Sequence, residues 1–469
     1  MGDLKKRLSG MPPATIGQTL ALAEEFGVRA VDVVLAEAAV RDGVSEEEIL
    51  EAVLEEYKHN IRAAEIGLAD GESILLGTVA SQLAAGGARC FDDAFLDDVL
   101  LFTLAAQVGN HCIGLRPCAG TGDSCPYTGF LMAMGKAGRG EREIAETAAL
   151  FLKIGGLFRI GKVTTGCNME GFGAGAACIA AGTAAMEGGT PGQMGKAVVL
   201  AMSPTIGVPC TPRVLVPALC TTHLAGAVLI GMYAARLVLR TGLDVNVPVD
   251  VMFAMASEVH KEAAKSLVPT VVDFMEPFFR RKPLVEELVP QEVRDAEAEK
   301  ISATLARAEE VASGIAARSP SLLHTLGMPV VGGSSQAVGS PTNTARIAHA
   351  LAGGAPVRKV SIELYPELFA RRAINVPGIL MGAVFGSPTS DYEMYAQAVQ
   401  KVRDLGVAVE IRENPEPQLQ KVTLETDEGA VFVDARNRGG GRVRLHDAGP
   451  SLEAAREAAL RLGIVLDEG

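Results

Sequence analysis

Tryptophan is absent from this sequence, and aromatic residues make up only 4% of it. Proteins that bind single-stranded nucleic acid stack bases on such rings, so that class is disfavoured. An excess of basic charge is missing too. Forty-three Lys and Arg stand against 56 Asp and Glu, a formal net charge of −13. A protein that tracks a phosphate backbone shows the opposite balance. No apolar run follows the charges of the opening MGDLKKRLSG, so no secretory signal is expected. CxxC pairs are lacking, which argues against a zinc ribbon. There is no internal repeat and no low-complexity tail.

What remains is long and apolar. At 469 residues and 48% hydrophobic composition, the chain is a folded protein of two or three domains. It carries 52 glycines, above the usual share of ~7%. Such an excess implies close helix packing or backbone approaching a ligand. The eight cysteines, Cys90, Cys112, Cys118, Cys125, Cys167, Cys178, Cys210 and Cys220, all fall between positions 90 and 220. In a cytoplasmic chain, clustered thiols point to metal or redox chemistry before disulfides. Any one of them is first a small buried apolar residue. The stretch 219–239 is apolar enough to mimic a membrane span. It contains His223 and Arg236 and is rich in Ala and Gly, so a buried helix of a large α domain is expected, with no membrane partner.

The patterning predicts an all-α domain over 1–285, a linker with a polar helix over 286–320, and a smaller α+β domain over 321–469. Residues 14–69 read as helices, with Ser45 and Glu48 as a capping box. From 95 to 270, Ala-, Leu- and Met-rich helices alternate with loops at 116–129, 162–175 and 203–220. The last loop has four prolines and cannot be one regular helix. In the second domain, 357–365, 407–413, 421–427, 430–436 and 442–447 alternate like strands. Asp427-Glu428-Gly429 marks a hairpin, and 343–351 and 391–405 read as helices.

Three cysteines stand out by their surroundings: Cys167 in TTGCNMEGFG, Cys210 in GVPCTP and Cys220 in VPALCTTH. Three thiolates on separate loops can hold a four-iron cluster and leave one iron open as a Lewis acid. The local sequence GCNMEGFGAGAACIAAGTAAMEGGTPGQ (166–193), followed by SPTIGVPCTPRVLVPALC, resembles the cluster-binding region of iron–sulfur L-serine dehydratases. RPCAGTG (116–122) is similar to that family's APT-x-G loop, and 55–71 to a helix of its α domain. GGSSQAVGSPTNTARIA (332–348) and NRGGGRVRL (437–445) resemble segments of its β domain. The family places its β domain first in single-chain members, whereas this chain places it last. Gln336 and Ala337 stand where the β motif has His and Thr, Cys118 and Thr211 replace a Thr and an Asp, and there is no terminal Cys.

The resemblance implies a [4Fe–4S] cluster on Cys167, Cys210 and Cys220. The implied reaction is elimination of water from a small β-hydroxy amino acid, L-serine first, to a keto acid and ammonia. His111, His223, Asp123 and Lys162 are the candidates for acid, base and carboxylate-pairing roles. Thr121, Thr164, Thr165 and Asn168 offer short polar contacts for a compact substrate. Arg116, Ser334 and Ser335 are candidates for its carboxylate. A loop His or Asp also serves as a cap, so each of these has a plain structural alternative. Pyridoxal phosphate would need a Schiff-base lysine, and Lys136, Lys153 and Lys162 sit in no such pattern. A cysteine desulfidase-like lyase and a non-catalytic cluster- or ligand-binding relative are the alternative readings. A homodimer in the cytoplasm is the expected assembly, with a small-molecule substrate and no nucleic acid.

Overall fold

Local signals place most helix ends. In the computed structural model, the described residues are 1–87, 89–116, 124–160, 169–208, 219–278, 281–318, 328–332 and 338–467, and statements about structure concern these. The chain divides into two compact units, Met1–Ser313 and Gly314–Gly469.

The first unit is helical. It opens with α1 (Gly2–Ser9), α2 (Ile16–Phe26), α3 (Ala30–Asp42) and α4 (Glu46–Leu68). Thr15 with Gln18 and Ser45 with Glu48 form reciprocal capping boxes, so two orphan N–H groups are satisfied at each start. Gly27 and Gly43 end α2 and α3 in the left-handed conformation. Next come α5 (Val79–Gly86), α6 (Ala94–Ile113), α7 (Ser124–Lys136) and α8 (Glu141–Ile160). A π-helical turn, Met169–Ala174, leads into α9 (Gly175–Met186) and α10 (Pro191–Met202), and a short 3-10 turn follows at Ser203–Thr205. The unit goes on with α11 (Leu219–Arg240), α12 (Val249–Lys265), α13 (Leu267–Met275), α14 (Pro283–Glu286) and most of α15 (Gln291–Ala317), whose last turn belongs to the second unit.

Three expected loops are shorter than the composition suggested. Ser124–Gly129 is the buried first part of α7, 169–174 is the π turn, and 203–205 and 219–220 are helical. For Ser124–Gly129, tertiary burial completes a helix that Gly, Pro and Thr would weaken in isolation.

The core sits around α9. Every residue from Gly175 to Ala184 is buried, enclosed by α7, α8, α10 and α11. Glycines and alanines let these backbones close up. A Cβ on Gly67 would lie 2.1 Å from the Ala105 carbonyl oxygen, and one on Gly109 would lie 1.9 Å from that of Ala63, so α4 and α6 cross at near contact. The stretch His223–Arg240 of α11 is long and apolar enough to span a membrane by length and composition. It is packed on α6, α9 and α10 as a core helix of this unit.

The second unit is α+β, so the expected order of a helical part followed by a mixed part holds. It runs α16 (Gly339–Leu351), β1 (Val357–Leu364), α17 (Pro366–Ala370), α18 (Arg372–Phe385), α19 (Tyr392–Asp404), β2 (Ala408–Glu413), β3 (Leu419–Thr426), β4 (Gly429–Asn437), β5 (Val443–Gly449) and α20 (Leu452–Arg461). The sheet order is β2-β1-β3-β4-β5, parallel only between β1 and β2. Asp427 and Glu428 form the two-residue turn, with Thr426 opposite Gly429. Val360, Ile362, Leu364, Val422, Leu424, Val433 and Ala435 form the buried face, on which α16, α18 and α20 pack.

Candidate functional site

The chain segments that carry Cys167, Cys210 and Cys220 have their described flanks in one place within the first unit. The π turn follows Cys167 by two residues, and it packs against α8, α9, α11 and the 3-10 turn that precedes Cys210. Gly173 makes this possible: its missing Cβ would lie 3.1 Å from Thr205 Oγ1 and 3.5 Å from the Phe158 ring. Gly226 does the same on α11, where a Cβ would lie 3.3 Å from the Phe172 ring. Gly207, at φ +80°, turns the chain out of the 3-10 turn towards Pro209. Cys220 lies in the first turn of α11, against which the π turn rests. A π turn adds a residue to the helical repeat and is frequent at functional sites.

His223 stands one turn beyond Cys220 on α11. Its ring packs on Phe172 with centroids 4.6 Å apart. Among the described residues its buried Nε2 has no hydrogen-bond partner. A buried polar atom left unpaired costs about 1–3 kcal/mol. Desolvation lowers the His223 pKa to about 4, so the imidazole is neutral at physiological pH.

His111 is placed differently. It ends α6, and its Nδ1 lies 2.5 Å from Ser73 Oγ and its Nε2 2.9 Å from Gln107 Nε2. Ser73 Oγ also accepts from the backbone N–H groups of Leu75 and Leu76. Both ring nitrogens are therefore engaged within a structural network, and desolvation lowers this histidine's pKa below 6.5. Gln107 continues the network by accepting from the Cys125 thiol.

Arg116 leads into the undescribed 117–123 segment. Its side chain is exposed, and its backbone is clamped by the buried Asn60: Arg116 N donates to Asn60 Oδ1 at 2.7 Å, and Asn60 Nδ2 donates to Arg116 O. His59 Nε2 meets the Gly114 carbonyl at 2.9 Å. Sequence reasoning did not single out Asn60 or Phe172. The signal for Asn60 was an amide on the buried stripe of α4, one turn after Tyr57.

Most of the other predicted residues lie outside the described residues: Asp123, Thr121, Lys162, Thr164, Thr165, Asn168, Cys167, Cys210, Ser334 and Ser335. Cys220 is described as backbone only. Among the described residues no group of three His, Cys, Asp or Glu side chains could hold a metal ion. Cys125 and Cys178 are buried in the core, while Cys90 and Cys112 are exposed. Lys153 is occupied: its Nζ donates to Glu37 Oε2 at 2.7 Å and to Ala14 O at 2.6 Å. Lys136 pairs with Asp98 at 2.7 Å. A cleft of about 970 Å³ between α2, α3, α8 and α10 contains none of the predicted residues. Its one arginine, Arg29, is held by Asp32 and Glu146.

Residues 159–272 match the family model of the serine dehydratase alpha chain. The match runs from the end of α8 through the π turn, α9, α10, α11 and α12 into α13, and thus covers all three cysteine-bearing segments and His223. It bears out the resemblance to iron–sulfur L-serine dehydratases over that segment and supports a lyase of the serine dehydratase type. The match does not extend into the second unit. No curated protein matches the chain.

Proposed function

We propose that this protein is an iron–sulfur-dependent lyase that eliminates water from a small β-hydroxy amino acid, with L-serine the leading substrate. One observation carries the reading. The family match falls on the segments whose described flanks pack together at the π turn, where Phe172 meets the His223 ring. Cys167, Cys210 and Cys220 would hold a [4Fe–4S] cluster. Phe158, Gly173 and Thr205 lie together beside the described ends of these segments. When bound, the cluster supplies an iron with an open coordination position that polarises the substrate hydroxyl.

The chain's own part is positioning and proton transfer. His223 enters the reaction neutral and, in the tautomer protonated at Nδ1, accepts the substrate's α-proton at Nε2. A substrate carboxylate nearby raises its pKa from about 4 towards the working range, because an adjacent anion favours the imidazolium. Loss of the β-hydroxyl with a proton, as water, leaves an enamine, which tautomerises and hydrolyses to pyruvate and ammonia. The Asn60 clamp fixes where the 117–123 segment begins, and with it Arg116, which would pair with the carboxylate.

The test is anaerobic purification followed by iron analysis and a substrate panel. About four irons per chain and keto acid with ammonia from L-serine are expected. Cys167→Ala should lose both iron and turnover. Sulfide from L-cysteine without turnover of L-serine would move the assignment to a desulfidase-like lyase. Iron without turnover of any panel member would make the chain a cluster-binding relative. An iron-free protein with full activity would overturn the mechanism.

A further inference from the structure

The sheet of the second unit has an open edge. Its order is β2-β1-β3-β4-β5, so β2 and β5 are the outer strands. At β5 the last described residues close the edge in part: Val443 N donates to Val465 O at 3.2 Å, and Asp467 N donates to Val443 O at 2.9 Å. β2 has no such cover. Among the described residues its strand partner is β1 alone, in a parallel ladder without a register shift. A strand alternates the direction of its backbone groups, so every second residue of β2 turns its N–H and C=O away from β1. All residues of β2 are exposed except Glu410, which is half-buried.

The side chains of this edge are as incomplete as its backbone. Val409 and Ile411 stand beside Val360 and Ile362 in the β1 register and share their face of the sheet. Val360 and Ile362 are 0% and 1% exposed, whereas Val409 and Ile411 are 39% and 36% exposed. The core face of the sheet therefore runs on to the last strand and is open there. The other face of β2 carries Glu410 and Arg412, whose Nε donates to Glu410 Oε1 at 2.8 Å, with Lys359 3.2 Å from the same carboxylate. Native edge strands are commonly blunted by Pro, Lys or a bulge. β2, AVEIRE, has no Pro, no Lys and no bulge against β1, and Pro415 comes only after the strand has ended.

We propose that β2 is an interface strand and that its partner is β2 of a second copy of this chain, added antiparallel about a two-fold axis at Ile411. Self-complementary charge selects this occupant. In an antiparallel pair directly opposite residues share a face, so a slip of one residue would set Ile411 against Glu410 or Arg412. A register centred on Glu410 or on Arg412 would set like charges opposite, which is unfavourable. Centred on Ile411, the pairing puts Ile411 on Ile411 and Glu410 opposite Arg412 of the second copy, twice by symmetry. Val409 then lies opposite Glu413, at the rim of the paired stretch. One register thus joins the apolar faces and the opposite charges together, and two five-stranded sheets become one continuous sheet. The proposal gives a surface to the homodimer expected from the sequence. It stands on the second unit alone and does not depend on the lyase assignment.

The test is the mass of the full chain by light scattering over a dilution series. Twice the chain mass at high concentration, falling to the chain mass on dilution, is expected. Ile411→Lys sets two cations on the axis and should weaken the dimer at least about tenfold. Glu410→Arg sets it against Arg412 of the other copy and should act alike. Adding Arg412→Glu to Glu410→Arg restores opposite charges across the axis, so the dimer should return to within about threefold of wild type. Lys359 keeps Glu425, at 3.4 Å, in that double variant. Ile411 and Arg412 are exposed and Glu410 is half-buried, so the circular dichroism of the variants should match that of wild type. If Ile411→Lys does not fold, the charge exchange carries the test alone. A wild-type chain that stays monomeric throughout, or a dimer unmoved by Ile411→Lys and by Glu410→Arg, would overturn the proposal. Loss in the single variants without recovery in the double exchange would overturn the register at Ile411.

Discussion

Replacing Lys153 by Met tests whether this lysine is structural or catalytic. Lys153 and Glu37 are 14% and 8% exposed at their side chains, and their ion pair is 2.7 Å long. Glu37 Oε1 also accepts from Ala14 N at 2.7 Å, and Lys153 donates to Ala14 O, so the pair ties the chain before α2 to α3 and α8. Lys153→Met leaves a buried carboxylate with one neutral donor. Breaking one side of a buried pair costs about 3–5 kcal/mol, whereas removing both charges is often nearly neutral. The single variant should therefore melt roughly 5–10 °C lower. The double variant Lys153→Met with Glu37→Gln keeps an acceptor for Ala14 N and should recover most of the loss. Urea and thermal unfolding of the four proteins of the cycle give the coupling energy directly. Turnover per folded molecule should be unchanged in both variants. A single-variant loss below about 1 kcal/mol, or a double variant no better than the single, would refute the buried-pair argument. Loss of turnover in a folded Lys153→Met protein would show a catalytic lysine and refute the structural assignment.

Two further outcomes are expected. Gly109→Ala places a methyl 1.9 Å from the Ala63 carbonyl oxygen, so α4 and α6 must separate, and destabilisation above about 3 kcal/mol is expected in urea unfolding, against a few tenths for Gly135→Ala, which meets only one side-chain atom at 3.9 Å. His223 has a folded-state pKa near 4 against 6.5, so the unfolded chain binds more protons between these values; its contribution makes stability fall as pH drops from about 6.5 to 4. His223→Gln should flatten that part of the stability–pH curve, and an unchanged slope would show that the ring is not desolvated.

Much of the architecture was legible in the sequence because it rests on local rules. Ser45 and Glu48 announce the start of α4, and Thr190-Pro191 with Gln193 that of α10, since capping needs only residues three apart. The alternation of Val360, Ile362 and Leu364 gives the strand and its buried face, because the side-chain period of a strand is two. The Asp427-Glu428 turn follows from the same local chemistry. The grouping of the three cysteine segments was legible only through resemblance, since 43 residues separate Cys167 from Cys210 and no local rule spans that gap.

Other features were decided by tertiary contact. Gly, Pro and Thr read as loop at 124–129, yet burial against α6, α9 and α11 draws this stretch into helix. His111 and His223 are equivalent in the sequence, two histidines beside irregular segments. Packing separates them: Ser73 and Gln107 occupy one ring, and Phe172 buries the other with its Nε2 unmatched. Hydrogen-bond partners and counter-charges come from residues distant in the chain, so a sequence names the groups that can act, and the fold decides which of them are already satisfied.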